Sequence, residues 1–141
     1  MIDRIPQRGQ KDCVICTVAM VMGPPFDYER VLADCRKYEQ TTADGKYSAW
    51  WETYLRDKGF QIYYCRFDGL SALWQYRGKV VGILGMDIPH LETGHLVAVD
   101  EIGVIDPATG APGHIALQEY VNTRVLDGVR FHDEWLAVRL P

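Results

Sequence analysis

Residues 12–22, Asp-Cys-Val-Ile-Cys-Thr-Val-Ala-Met-Val-Met, constrain the fold of this chain more than any other stretch. The run is apolar on nearly every face. It ends at Gly23-Pro24-Pro25, where neither proline can continue it cleanly. A helix that is hydrophobic all round has to sit in the middle of a core. The β-branched residues would also suit a buried strand. Its length and a capping Asp12 at its start favour helix. A single domain spanning residues 1–141 is long enough to cover such a helix, since a chain of that size removes about 70% of its unfolded surface from water.

The rest of the pattern says what covers it. Asp27 is a good N-cap for a helix over 28–38, with Val31, Leu32 and Cys35 on one face. Ser48 caps a third helix reaching Lys58, with Trp51, Tyr54 and Leu55 at helical spacing and Gly59 closing it. Beyond this point the period changes. Residues 60–65 and 79–84 read as strands, with a short helix over 70–76 between them. Residues 95–100 and 103–105 read as a hairpin, and 135–140 as a last strand, with a sheet edge as one place for it. Helices first and strands later describe an α+β domain, with helices packed on an antiparallel sheet.

Apolar content of 48% and charged content of 24% are those of an ordinary globular protein. Net charge is −4, and no run of Lys or Arg exceeds two residues, which argues against nucleic acid or an anionic membrane as partner. No apolar stretch is long enough to form a membrane segment, and the N-terminus lacks the features of a signal peptide. A cytoplasmic protein is expected. Its four cysteines, Cys13, Cys16, Cys35 and Cys65, then read as reduced thiols rather than disulfides.

Four residues carry the chemistry. Cys13 falls in the first turn of the apolar helix, where free amide N–H groups and the helix dipole favour a thiolate. Gln7, six positions upstream, can aim a side-chain N–H at an oxyanion, although Gln10 competes for that role. His95 opens a strand, sharing its face with Val97 and Val99, and Gly94 before it permits close backbone approach. Asp106 stands on the neighbouring strand end, where it can orient the imidazole; Asp106-Pro107 is also a common opening of a type I turn. His90, His114 and His132 lie in apparent loops with no comparable partner. Singly, each of the four has an ordinary structural explanation. Their order and settings point to a thiol nucleophile, a base and an orienting carboxylate.

Rival constellations are weaker. Cys13-Val-Ile-Cys16 is a CxxC, but it lacks the preceding strand of a redox motif and the second tight pair of a zinc site. On a helix Cys16 enters the core. No metal and no cofactor are expected. Trp50, Trp51, Trp74 and Trp135 read as core or pocket walls.

At these residues the chain resembles the bacteriocin-processing peptidases, papain-like domains that remove double-glycine leaders. The resemblance lies in Gln7-Arg-Gly-Gln-Lys-Asp-Cys13 with Thr17-Val-Ala-Met, and in His95-Leu-Val-Ala-Val with Val104-Ile-Asp106-Pro-Ala-Thr-Gly110. It implies a papain-like fold and a cysteine peptidase acting through Cys13, His95, Asp106 and Gln7. It also implies a peptide or protein substrate with small residues, such as Gly-Gly, before the cut. Three departures stand out: Val14 follows the nucleophile where the family has glycine, the His95-to-Asp106 spacing is short, and no exporter segment follows. Two other classes fit the same residues. One is a non-catalytic peptide-binding module that keeps the fold. The other is an amidase or transglutaminase-like acyl-transfer enzyme using the same triad.

Overall fold

The computed structural model describes residues 2–9, 12–39, 50–66, 79–89, 94–108, 110–111 and 113–140. Among the described residues, four helices and an antiparallel sheet make a mixed α+β architecture. The helices are α1 (Cys13–Met22), α2 (Tyr28–Glu39), α3 (Trp50–Asp57) and α4 (Leu117–Leu126). The strands are β1 (Gln61–Arg66), β2 (Val80–Asp87), β3 (His95–Val99), β4 (Val104–Ile105), β5 (Arg130–Phe131) and β6 (Glu134–Arg139). The sheet runs in the order β1-β6-β2-β3-β4, with β5 paired to the end of β2.

The apolar run forms α1, and every residue in it except Val14 is buried. It lies against β3, where the Thr17 hydroxyl donates to Leu96 O at 3.1 Å. Around it, α2 and α3 complete one layer on one face of the sheet. Alternation along the strands then divides the core in two. Val81, Ile83, Ala98, Leu136 and Val138 face the α1 layer. Leu84, Met86, Val97, Val99, Trp135 and Ala137 face the other side, where Tyr120 of α4 and Val129 cover them.

The local signals explain the ends of these elements. Asp27 caps α2 through Oδ1, which accepts the Arg30 N–H at 2.9 Å. Gly59, with φ at +90°, closes α3 in a left-handed turn; its N–H bonds Arg56 O and the Phe60 N–H bonds Leu55 O, each at 3.0 Å. Ser48 and the helix expected over 70–76 lie outside the described residues. The β3–β4 hairpin turns through 100–103. There Gly103 is required by space, since a Cβ would lie 2.2 Å from Ile115 O.

Two expectations are corrected, and two elements are new. Asp12 occupies the N-cap position of α1 but makes no side-chain cap bond, because its carboxylate is drawn to four donors outside the helix. Strand β6 is not at an edge: it runs between β1 and β2. Its Trp-Leu-Ala-Val core is buried on both faces, which is why it shows no polar alternation. Helix α4 and strand β5 were not expected, and α4 buries a single side chain, Tyr120. Among the described residues, no helix is long and apolar enough to cross a membrane.

Leu84, 1% exposed at the centre of the sheet, and Leu126, 88% exposed at the end of α4, make opposite predictions. Leu84→Ala should cost about 2–5 kcal/mol in urea unfolding. Leu126→Ala should stay within about 0.5 kcal/mol of wild type. Equal losses would contradict the placement of the core.

Candidate active site

The site is assembled where the first turn of α1 meets the opening of β3. His95, buried, begins β3 directly after Gly94, where a Cβ would lie 3.0 Å from Met86 O. Its ring Nε2 lies 2.7 Å from Asp106 Oδ1. A carboxylate only accepts hydrogen bonds, so Nε2 carries the proton and Nδ1 is left for another partner. Cys13 is its neighbour there: the interaction of thiol and ring lowers the thiol and raises the imidazole. Sequence residues 82 positions apart are thereby joined in one chain of contacts, Cys13–His95–Asp106.

Asp106 is 1% exposed, yet it remains ionised. Burial pushes its carboxyl up. The hydrogen bond and charge of His95, the Ala108 N–H and the Tyr120 hydroxyl more than offset this and hold it far below the usual carboxylate range. Oδ1 accepts from Ala108 N at 2.8 Å as well as from His95, so Asp106 builds its Asp-Pro turn and faces the imidazole with the same atom. Oδ2 accepts from Tyr120 Oη at 2.7 Å and from an Arg124 guanidinium N–H at 3.1 Å. Arg4 closes the turn from outside by donating to Asp106 O and Ala108 O.

The thiol and the imidazole are shifted towards each other. Burial pushes the Cys13 thiol up, but the His95 hydrogen bond, the Leu96 N–H, the charge on His95 and the Val14 N–H bring it below its ordinary value. Burial lowers His95, while its hydrogen bonds to Asp106 and Cys13 and their charges raise it to about 9. Near neutral pH these directions favour a thiolate–imidazolium pair. Cys16 behaves oppositely. Burial first, then the nearby charges of Asp12 and Cys13, push its thiol up to about 12. It is fully buried one turn along α1, and none of the four cysteines is in a disulfide.

Gln7 is brought to the same corner by its N–H, which donates to Pro107 O at 2.7 Å. Its side-chain Nε2 lies 3.1 Å from Gly9 O and 3.4 Å from Asp12 Oδ1. The Asp12 carboxylate also accepts the N–H groups of Arg8 and Gly9 and the Tyr28 hydroxyl. It therefore ties down the loop leading into Cys13. Because Asp12 leaves the helix end uncapped, the first-turn amides of α1 are available as donors beside the sulfur. Gln10 lies outside the described residues.

Two grooves lie near this corner, each lined by a chain neighbour of a site residue and neither by Cys13 or His95. One, of about 740 Å³, runs from Arg8 and Asp12 past Val14 and Ile15 to Trp50. The other, of about 240 Å³, is lined by Trp51, Gly85, Leu96, His132 and Trp135. A third cavity, of about 480 Å³, lies at the opposite end of α1, around Met20–Met22 and Phe26.

Tyr120 and Arg124 escaped the sequence reading, although their spacing of four places them on one helical face. The expectation that the other histidines lack partners is also corrected. His114 Nε2 lies 2.9 Å from the buried Asp100, and His132 Nε2 lies 3.2 Å from Asp87. His90 is outside the described residues. No family model, curated protein or solved structure matches this chain.

A raised His95 stays protonated at higher pH than an ordinary imidazole. Its ring proton signals in NMR should titrate near 9, and Asp106→Asn should move the midpoint down. A wild-type midpoint at 6.5, the ordinary value, would contradict the described coupling.

Proposed function

We propose that this chain is a cysteine peptidase built on a papain-like arrangement, hydrolysing a peptide or isopeptide bond through Cys13, His95 and Asp106. The observation that carries the reading is the buried 2.7 Å contact between His95 Nε2 and Asp106 Oδ1, which leaves the other ring nitrogen to act on the Cys13 thiol. A thiol packed merely as a small apolar residue needs neither an imidazole nor a buried carboxylate behind it.

The chemistry follows from those positions. The Cys13 thiolate attacks the carbonyl carbon, and the C=O pair moves onto oxygen. The oxyanion accepts from first-turn amides of α1 and from Gln7 once its Nε2 turns from Gly9 O and Asp12. Collapse of the tetrahedral intermediate breaks the C–N bond, and His95 Nδ1–H protonates the departing amine. A thioester on Cys13 remains. Water then attacks it while Nδ1 takes the water proton, and the acid product leaves as the thiolate re-forms. Asp106 stays a carboxylate throughout, holding Nε2–H and stabilising each imidazolium.

Support for a small-residue substrate comes from the bulky side chains near the site. Val14 and Trp50 line one neighbouring groove, and Leu96 and Trp51 line the other. Such walls favour an extended peptide with glycine before the cut. Trp74, expected as a further wall, lies outside the described residues.

Peptides cut after Gly-Gly should be hydrolysed by wild type, not by Cys13→Ala, and poorly when either glycine becomes leucine. Gln7→Ala should lower kcat by about 10²–10³ if its amide meets the oxyanion. An unchanged rate would leave that task to the backbone amides. Preference for large apolar residues before the cut would reject the small-residue reading, and absence of any Cys13-dependent hydrolysis would reject the peptidase.

A further inference from the structure

Helix α4 covers the sheet face opposite α1 and buries only one of its side chains, Tyr120. Apolar burial is therefore a small part of what it does. Its two inward polar groups converge on a single atom, Asp106 Oδ2: the Tyr120 hydroxyl at 2.7 Å and the Arg124 guanidinium at 3.1 Å. Oδ1 is shared between Ala108 N–H and His95 Nε2. All four bonds sit on a carboxylate that is 1% exposed, and each oxygen accepts two of them.

We infer that Tyr120 and Arg124 are positioning residues for the site: by occupying Oδ2 they fix the rotation of the Asp106 carboxylate, so that Oδ1 alone is presented to His95. The inference rests on the proposed roles of Asp106 and His95.

A carboxylate turns about its Cβ–Cγ bond, and a two-fold torsion of this kind is broad unless neighbours confine it. Ala108 N–H holds one oxygen from the chain side. Without donors on the far side, the group is free to rotate away from the imidazole or to take up a proton in its buried setting. The hydroxyl and the guanidinium remove both options. The guanidinium adds a charge of the opposite sign, so thiolate, imidazolium, carboxylate and guanidinium alternate along the path from Cys13 to Arg124. The phenol ring packs edge-on to Phe131, with centroids 6.3 Å apart, and Arg124 lies over the Tyr120 ring at 5.3 Å. Those ring contacts fix the angle from which the two donors approach.

The test uses Tyr120→Phe, which keeps the ring and removes only the hydroxyl, and Arg124→Gln, with Val125→Ala as a control on the exposed side of the same helix. The far-downfield proton resonance of His95 Nε2–H reports the hydrogen bond to Asp106 directly. It should be sharp in wild type and Val125→Ala, and weakened or lost by exchange in Tyr120→Phe and Arg124→Gln. The rate of Cys13 alkylation by iodoacetamide at neutral pH should fall in the same two variants, on the order of tenfold, the scale seen when a supporting partner behind a functional imidazole is removed. An unchanged resonance in both variants would overturn the inference. So would equal losses in Val125→Ala, which would assign the effect to helix packing. Failure of the peptidase reading looks different: Cys13 alkylates slowly in wild type while the resonance is present, and the resonance still decides the role of Tyr120 and Arg124.

Discussion

Burial of α1 on all sides is the constraint from which the rest of this structure follows. A helix with no polar face must be enclosed, and the chain encloses it with α2 and α3 on one side and the sheet on the other. Its first turn holds the one residue of the helix that is not buried, Val14. That turn carries Cys13, so the helix that organises the core also delivers one thiol to a fixed place beside β3. The Thr17 bond to Leu96 O ties the two elements together one turn further in. A rigid mount is what a nucleophile needs, because small misplacements are costly in reactivity.

Two buried carboxylates hold the hairpin that supplies the other side of the site. Asp100 sits at the turn, where Oδ1 accepts the N–H groups of Ile102 and Gly103. Its Oδ2 accepts the Ile2 N–H and lies 2.9 Å from His114. Asp106 follows β4 and holds His95. Ionised groups in such settings are costly unless every lone pair is met, and here both are met. Among the described residues, no buried side-chain polar atom lacks a partner. The N-terminal segment is drawn across the hairpin by these bonds and by Arg4, which brings Gln7 beside the Asp106 turn.

Much of this was legible in the residues themselves. The extent of α1, the Asp27 cap, the Gly59 stop and the period-two strands each have a local physical signature, and each appears in place. The nearness of Cys13, His95 and Asp106 was readable from their order and settings. What was not legible depends on contacts between distant segments. Asp12 looked like a cap, but its carboxylate finds better donors in Arg8, Gly9 and Tyr28. The position of β6 between two strands is encoded only as a lack of alternation. Helix α4 has no broad apolar stripe, because it contributes a hydroxyl and a guanidinium more than hydrophobic area.

The central claim is that Cys13 is a nucleophile activated by His95, and site-mapped alkylation tests it most directly. Brief treatment with iodoacetamide at mildly acidic pH, followed by mass spectrometry, should modify Cys13 and leave the buried Cys16 and Cys35 and the half-buried Cys65 unmodified. His95→Ala should remove that selectivity. Labelling of Cys65 before Cys13, or a Cys13 rate that is the same in wild type and His95→Ala, would contradict the account.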